Sequence, residues 1–382
     1  MITKKLRRLL LVALAPIPAL LPAATVEERL QELENKVSSL STENTALRQQ
    51  LGVDSAKGSP VFITAFGKEK SLAVGGYLQF QGEFGDSPDS RFPAEDRLLI
   101  RRARLGIKGS FVENVDFVMQ AEFGSGTLSP SAGYRAQLSD VYVVWNKFEQ
   151  ANVTLGQFKT PYGYEQLAAD TKLPLIERSL PSDKLTLSRQ IGAMVSGDFL
   201  DKRLHYATGL FNGTGVNTNT NDNDSFTYAG RVNGVLVNKS KFKLTAGTNV
   251  FQTHDTATAP GFTGSRSGLG FDLQAASGPL TLAAEWLQTS SDPDVGAKSK
   301  SDGWSALAGY QIIPKKLQAV VRYETFDPKD TVAGDSSDLW TLGFNYFLKG
   351  DELKLSLNYL LGDPAGPLSD QGRLLARVQV IF

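Results

Sequence analysis

The 382-residue chain has no cysteine and only two histidines, His205 and His254. The missing thiols exclude disulfides, thiolate nucleophiles and cysteine-type zinc sites. The two histidines lie far apart in the chain, and neither has a matched serine or ligand cluster nearby, so histidine catalysis and metal binding lose their usual carriers. Charge of one sign is also lacking, with 40 basic residues against 40 acidic. That balance gives no support to nucleic-acid binding. Past the N-terminus no apolar run approaches the ~18 residues of a membrane helix. The stretch "GSG" at 124–126 is followed by no phosphate-binding helix. "NTNTNDND" lacks the glycine and the final glutamate of a calcium loop, and reads as a solvated loop. No cofactor, no metal and no enzymatic activity are expected.

The N-terminus has what the rest lacks. "MITKKLRR" carries Lys4, Lys5, Arg7 and Arg8, and the apolar "LLLVALAPIPALLPAA" follows. This reads as a signal peptide over 1–24, and Pro16, Pro18 and Pro22 make it a poor spanning helix. Its removal leaves 36 basic against 40 acidic residues. Residues 25–51 then place Val26, Leu30, Leu33, Val37, Leu40, Asn44, Leu47 and Leu51 at alternating spacings of four and three. That is the seam of a coiled coil. The pairs Arg29/Glu34 and Glu43/Arg48 suit a parallel self-assembly, and Asn44 at an a position would set its register. A single amphipathic helix is the plainer alternative. A Gly- and Pro-punctuated linker covers 52–70.

From residue 71 to 382 the period is two. "LAVGGYLQFQGEF" sets Leu72, Val74, Leu78, Phe80 and Phe84 against Tyr77, Gln79, Gln81 and Glu83. "LIRRARLGIKGSF" sets Leu99, Ala103, Leu105, Ile107 and Phe111 against Arg102, Arg104, Lys108 and Ser110. The last stretch, "RLLARVQVIF", alternates to the end, with Leu374, Ala376, Val378, Val380 and Phe382 on one face and Arg373, Arg377 and Gln379 on the other. About sixteen such stretches occur, joined by alternately short and long polar connections. Among the long ones are 212–225, 253–268 and 290–303. Aromatics near strand ends (Trp145, Phe148, Phe251, Tyr310, Tyr346, Phe347) suit interfacial girdles. The expected fold is all-β: a 16-stranded antiparallel transmembrane β-barrel preceded by a short coiled-coil helix, in the outer membrane of a Gram-negative bacterium. A soluble sandwich also alternates, but it does not need one apolar, nearly uncharged face on every strand.

"LLIRRARLGIKGSF…VDFVMQAEFG", "LSDVYVVW…VTLGQFKTPYGYEQL…LPLIERSLP", "QIGAMVSGDF…LHYATGLFNGTG" and "AGRVNG" resemble, in order and spacing, the phosphate-selective porin O/P family. The resemblance implies a trimeric porin whose third external loop, here Lys159 to about Arg189, folds inward and narrows the pore. It also implies that Phe382 is read by the barrel-assembly machinery. The lumen's charges then carry function. The candidate pore-lining cations are Arg102, Arg104, Lys108, Lys159, Lys172, Arg178, Lys184, Arg189, Arg231, Arg322 and Arg377, with Arg373 beside them. Asp116, Glu122, Asp140, Glu285 and Glu324 oppose them from the same inner face. The expected function is passive diffusion of small hydrophilic solutes with a preference for anions, and selectivity for phosphate or polyphosphate is the sharper form of that reading. The alternatives are a general diffusion porin with little selectivity and a structural tether. The expected partners are outer-membrane lipid, two further copies of the chain and small anions, with no nucleic acid.

Overall fold

The computed structural model describes residues 31, 32, 34–36, 62–63, 71–93, 95–124, 134, 136–256, 262–363 and 371–382. The signal peptide and every residue of the heptad seam, Asn44 included, lie outside the described residues. Residues 31, 32 and 34–36 are helical and exposed.

A two-residue strand, β1 (Phe62–Ile63), falls within the stretch read as a linker and pairs with the start of β2. The wall then runs β2 (Ser71–Gly85), β3 (Arg97–Val112), β4 (Val115–Glu122), β5 (Gln137–Phe148), β6 (Ala151–Lys159) and β7 (Arg189–Phe199). It continues through β8 (Leu204–Phe211), β9 (Thr227–Lys239), β10 (Phe242–Asp255), β11 (Gly264–Ser277) and β12 (Leu280–Pro293). The last strands are β13 (Ser299–Ile313), β14 (Leu317–Asp327), β15 (Ser337–Lys349), β16 (Leu353–Asp363) and β17 (Gln371–Ile381). Each of β2 to β17 pairs antiparallel with its neighbour, and β17 pairs back onto β2 from Arg373↔Gly85 to Ile381↔Tyr77. The result is a closed barrel of sixteen strands with no free edge, the condition for a sheet in hydrocarbon.

Side chains obey the period. On β17 Leu374, Val378 and Val380 are exposed while Arg373, Arg377 and Gln379 are buried, and on β2 Leu78 and Phe80 are exposed while Gln79, Gln81 and Glu83 are buried. The polarity is that of a membrane barrel, apolar outward and polar inward. Turns at one end are short, and Gly278 and Gly350 there take φ of 55°, the left-handed conformation that tight turns favour.

Three expectations need correction. On β3 the register slips, so that Gln79 faces Arg102 while Phe80 faces Ile100, leaving Arg101 as an extra residue. This bulge reverses the parity before it. Leu98 and Ile100 point outward, Leu99 is buried, and Arg101 and Arg102 both turn into the lumen. Second, Phe251 is a buried lumen residue and Phe347 lies under the Lys354 ammonium, so neither belongs to an outer girdle. Trp145, Phe148, Tyr310 and Tyr346 are exposed as a girdle requires. Third, β10 to β13 run further than their polar sequences suggest, which shortens the connections 253–268 and 290–303 to 256–263 and 294–298. Beyond the lipid a strand needs no apolar face, so alternation stops marking it.

Phe382 donates its N–H to the Gly76 carbonyl at 2.9 Å and accepts from the Gly76 N–H at 2.8 Å. Its ring rests over Gly76, where a Cβ would come within 3.0 Å of it. Phe382→Asp should therefore weaken closure. A lipid-facing charge near an interface costs only about 0–1 kcal/mol by itself, so most of the loss is ring packing at the seam. The expected result is a lower yield of heat-modifiable barrel on a gel run without boiling; an unchanged yield would refute it.

Candidate functional site

The chain between β6 and β7, residues 160–188, enters the barrel and packs against its inner wall. It contains two short helices, α1 (Tyr164–Leu167) and α2 (Leu180–Leu185). A loop inside a barrel must find partners for its backbone, and inward polar side chains supply them. The Tyr164 and Glu165 N–H groups donate to the Glu285 carboxylate, and the Leu180 N–H donates to Glu324. Ile176 N–H donates to Asn358 at 2.7 Å, and Asn345 donates to the Pro174 carbonyl at 2.6 Å. Lys354 donates to the carbonyls of Thr171 and Leu173.

Apolar contacts fix the same path. Tyr162 and Leu185 join Phe158, Phe211, Ala229, Phe251 and Leu287 in one buried cluster. Ile176 joins Phe92, Leu339, Leu360 and Leu375 in another. Full burial of one such side chain is worth about 1.5–3 kcal/mol. Gly343 admits the loop closely, since a Cβ there would stand 2.5 Å from Leu175.

Charges complete the anchorage. Asp170 meets Arg104 at 2.6 Å, Arg178 at 2.7 Å and Arg102 at 3.5 Å. Glu177 meets Arg377 at 2.5 Å and Arg101 at 3.0 Å. Glu165 meets Arg322 at 3.1 Å, and Arg322 also pairs with Glu324. Arg91, from the loop between β2 and β3, binds Asp89, Glu324 and the Arg178 carbonyl. Arg104 holds Glu122 at 2.7 Å.

The sequence-derived cations therefore divide. Arg102, Arg104, Arg178, Arg322 and Arg377 converge on the loop and are consumed by carboxylates. Arg189 pairs with Asp140, Arg231 with Asp272, and Arg373 with Glu83 and three backbone carbonyls. Lys159 donates to the Gln166, Leu167 and Ala168 carbonyls. Lys172 meets Asp351 at 2.8 Å. Lys108 and Lys184 are exposed. An open positive ladder of Arg102, Arg104 and Lys108 is not what the geometry shows, because loop carboxylates cover its first two members.

Sequence reading missed Arg91, Arg101, Lys243, Lys315 and Lys354. Arg101 was hidden by the bulge. Lys243 and Lys354 fall on inward parity and could have been found. They line a cavity of about 740 Å³ toward the short-turn end with Lys172, Lys315, Gln274 and Asp351. A second cavity, of about 550 Å³, is bordered by Tyr77, Arg104, Asp140, Lys159, Asp170 and Arg189.

A closed sixteen-stranded barrel, apolar outside and polar within, narrowed by a long loop folded into its lumen, defines a porin. Residues 74–373 match the phosphate-selective porin O and P family, and the chain belongs to it. It is an outer-membrane barrel. Among solved structures it is similar to the outer-membrane channel DcaP of Acinetobacter baumannii, with TM-score 0.59, 12% identity, and coverage of 84% of this chain and 100% of that one. It is also similar to the trimer form of OmpT of Vibrio cholerae, with TM-score 0.58, 11% identity, and coverage of 82% and 100%. A third likeness is to an anion-selective porin from Comamonas acidovorans, with TM-score 0.55, 13% identity, and coverage of 82% and 100%. At these identities the likenesses establish the fold alone. No curated protein matches.

The carboxyls of Asp170 and Glu177 lie on the loop, outside the spanning strands. Burial alone would raise both. Arg102, Arg178 and Arg104 around Asp170, and Arg101, Arg377 and Arg102 around Glu177, outweigh it and hold both below the usual carboxylate range. A depressed carboxyl contributes stability above its unfolded pKa and loses it only as pH falls through the folded value. The part of the anchorage that Asp170 and Glu177 supply should therefore be constant from about pH 8 to 5. Glu177→Ala, which takes the carboxylate away from Arg101 and Arg377, should cost about 3–5 kcal/mol of it. Limited proteolysis within 160–188 checks both: new cleavage in the variant, and an excess over the unmodified protein that is the same at about pH 8 and about pH 5.

Proposed function

We propose that the protein is a passive channel for small hydrophilic solutes, anion-preferring but not strictly phosphate-specific. The observation that carries the reading is the charge of the cavity on the short-turn side. Lys172, Lys243, Lys315 and Lys354 face a single carboxylate, Asp351, shared by Lys172 and Lys354. Fixed positive charge in a low-dielectric channel concentrates anions. Forked recognition of phosphate by arginine needs unpaired guanidiniums, and the arginines around the loop are paired with carboxylates. The family and fold favour a channel over an enzyme.

Assembly as a homotrimer is part of the proposal. It is supported by the trimer form of the OmpT relative and by the heptad seam at 25–51, whose Asn44 would hold three chains in register after export. Phe382, at the seam of the barrel, is the element the assembly machinery would read.

Purified trimers in a planar bilayer under a potassium chloride gradient should give a reversal potential favouring chloride. The preference should shrink at high salt, where the Debye length falls to about 3 Å. Lys243→Gln with Lys354→Gln should reduce it at least twofold, an order set by removal of two of four cavity cations. Cation preference in the unmodified channel at low salt would refute anion selection. An unselective channel would instead favour general diffusion.

A further inference from the structure

We propose that the Asp170 carboxylate occupies a ready-made oxyanion site, and that Asp170 thereby sets the selectivity of the channel. The inference rests on the porin reading above and concerns a different part of the lumen from the lysine-lined cavity.

Three guanidiniums, two from β3 and one from the loop itself, close on one carboxylate. Arg104 Nη1 and Arg102 Nε approach Asp170 Oδ2, and Arg178 Nη1 approaches Oδ1. The Tyr77 hydroxyl adds a fourth donor to Oδ2 at 3.1 Å. Two converging arginines suffice to hold an ordinary oxyanion by charge-assisted bonds. Here three converge together with a hydroxyl.

Each of the three has a further partner besides Asp170. Arg102 donates to Gln79 at 2.9 Å. Arg104 donates to Glu122 at 2.7 Å and lies 5.5 Å from the centre of the Tyr77 ring. Arg178 donates to the carbonyls of Glu165 at 3.0 Å and Ala168 at 2.9 Å. Donors held by other groups stay aimed at the same point when their ligand is removed, and such preorganisation is what makes anion binding strong. The point is reachable as well. Asp170 and Arg104 border the 550 Å³ cavity, and Lys159 and Arg189 stand in the same wall. The loop's own carboxylate therefore sits where a free carboxylate or phosphate would sit. A bulge that turns Arg101 inward gives Glu177 a closer arginine at 3.0 Å, and Arg102 stands between the two acids, 3.5 Å from Asp170 and 3.8 Å from Glu177.

The experiment uses full-length trimers in planar bilayers, with Asp170→Ala and Asp170→Asn. In Asp170→Ala the chloride-to-potassium permeability ratio should rise about threefold or more. Inorganic phosphate or acetate should block chloride current at concentrations at least about tenfold lower than in the unmodified channel. Block by either oxyanion supports the proposal. Asp170→Asn, which fills the space but removes the charge, should raise the permeability ratio with weaker block. Adding Arg104→Gln to Asp170→Ala should abolish the gain.

Three results would overturn the proposal. One is larger conductance with selectivity and block unchanged, which would make Asp170 only an anchor. The second is a gain that survives Arg104→Gln. The third is equal oxyanion block in the unmodified channel. If the Asp170 variants fail to assemble, Arg104→Gln alone decides. It leaves Asp170 undercompensated and must shift selectivity toward cations; no shift refutes the idea. An unmodified protein that conducts nothing would instead strike the porin reading, which is visible before any variant is made.

Discussion

Hydrocarbon offers a backbone no hydrogen bonds. Every other feature of this protein follows from meeting that constraint with strands. Sixteen strands must close on themselves, and β17 does so by pairing with β2 over nine residues, from Arg373 to Ile381. Closure gives each strand one face in lipid and one in an enclosed lumen. The same period of two that keeps Leu78 and Phe80 in lipid delivers Gln79, Gln81 and Glu83 to the interior. The interior is therefore polar by construction, before any demand of transport is made on it.

A polar interior then dictates how a long loop can live there. The loop at 160–188 brings unsatisfied backbone groups into a confined space, and the wall answers with Glu285, Glu324, Asn345, Asn358 and Lys354. It also brings carboxylates, which find the inward arginines. Isolated exposed ion pairs contribute little, but these are buried and networked, and Arg102, Arg104, Arg178, Arg322 and Arg377 each have a further hydrogen-bond partner. Removing one member leaves a charge without compensation, so the network acts as a unit. Its net charge is small. The lumen is thus rich in arginine without being strongly positive there, and any anion preference has to come from cations that the loop does not consume.

The barrel was legible in the sequence because its constraint is periodic and repeated on every strand. The class of the last strand, the outward Phe382, the inward Arg373 and Arg377 and the folded-in loop could all be read from alternation and connection length, with the family resemblance supplying the loop's direction. Parity counting failed where one residue is inserted. Nothing in "LLIRRARL" marks Arg101 as a bulge, since three arginines look alike until the partner strand fixes which of them pair. Phe251 and Phe347 were misassigned for a related reason: near a strand end an aromatic is equally at home in a girdle or in a packed lumen. Partner choice was beyond reach. Asp170 lies 66 residues from Arg104 and Glu177 lies 200 from Arg377, and no local pattern records which carboxylate meets which arginine.

That last gap matters most for function. A list of inward cations treats the arginines as independent binding groups, whereas the folded chain sets them against carboxylates on a loop that the same lumen must hold. Selectivity is then a difference between two large quantities, wall charge and loop charge, and it can be changed from either side. A wall arginine is constrained by every neighbour it holds in place. A loop carboxylate such as Asp170 meets guanidiniums that each keep another partner, in Gln79, Glu122 and the carbonyls of Glu165 and Ala168, so its removal changes the charge of the lumen without taking away their last contact. In a barrel of this design the loop acids, rather than the wall bases, are the economical place to tune which ions pass.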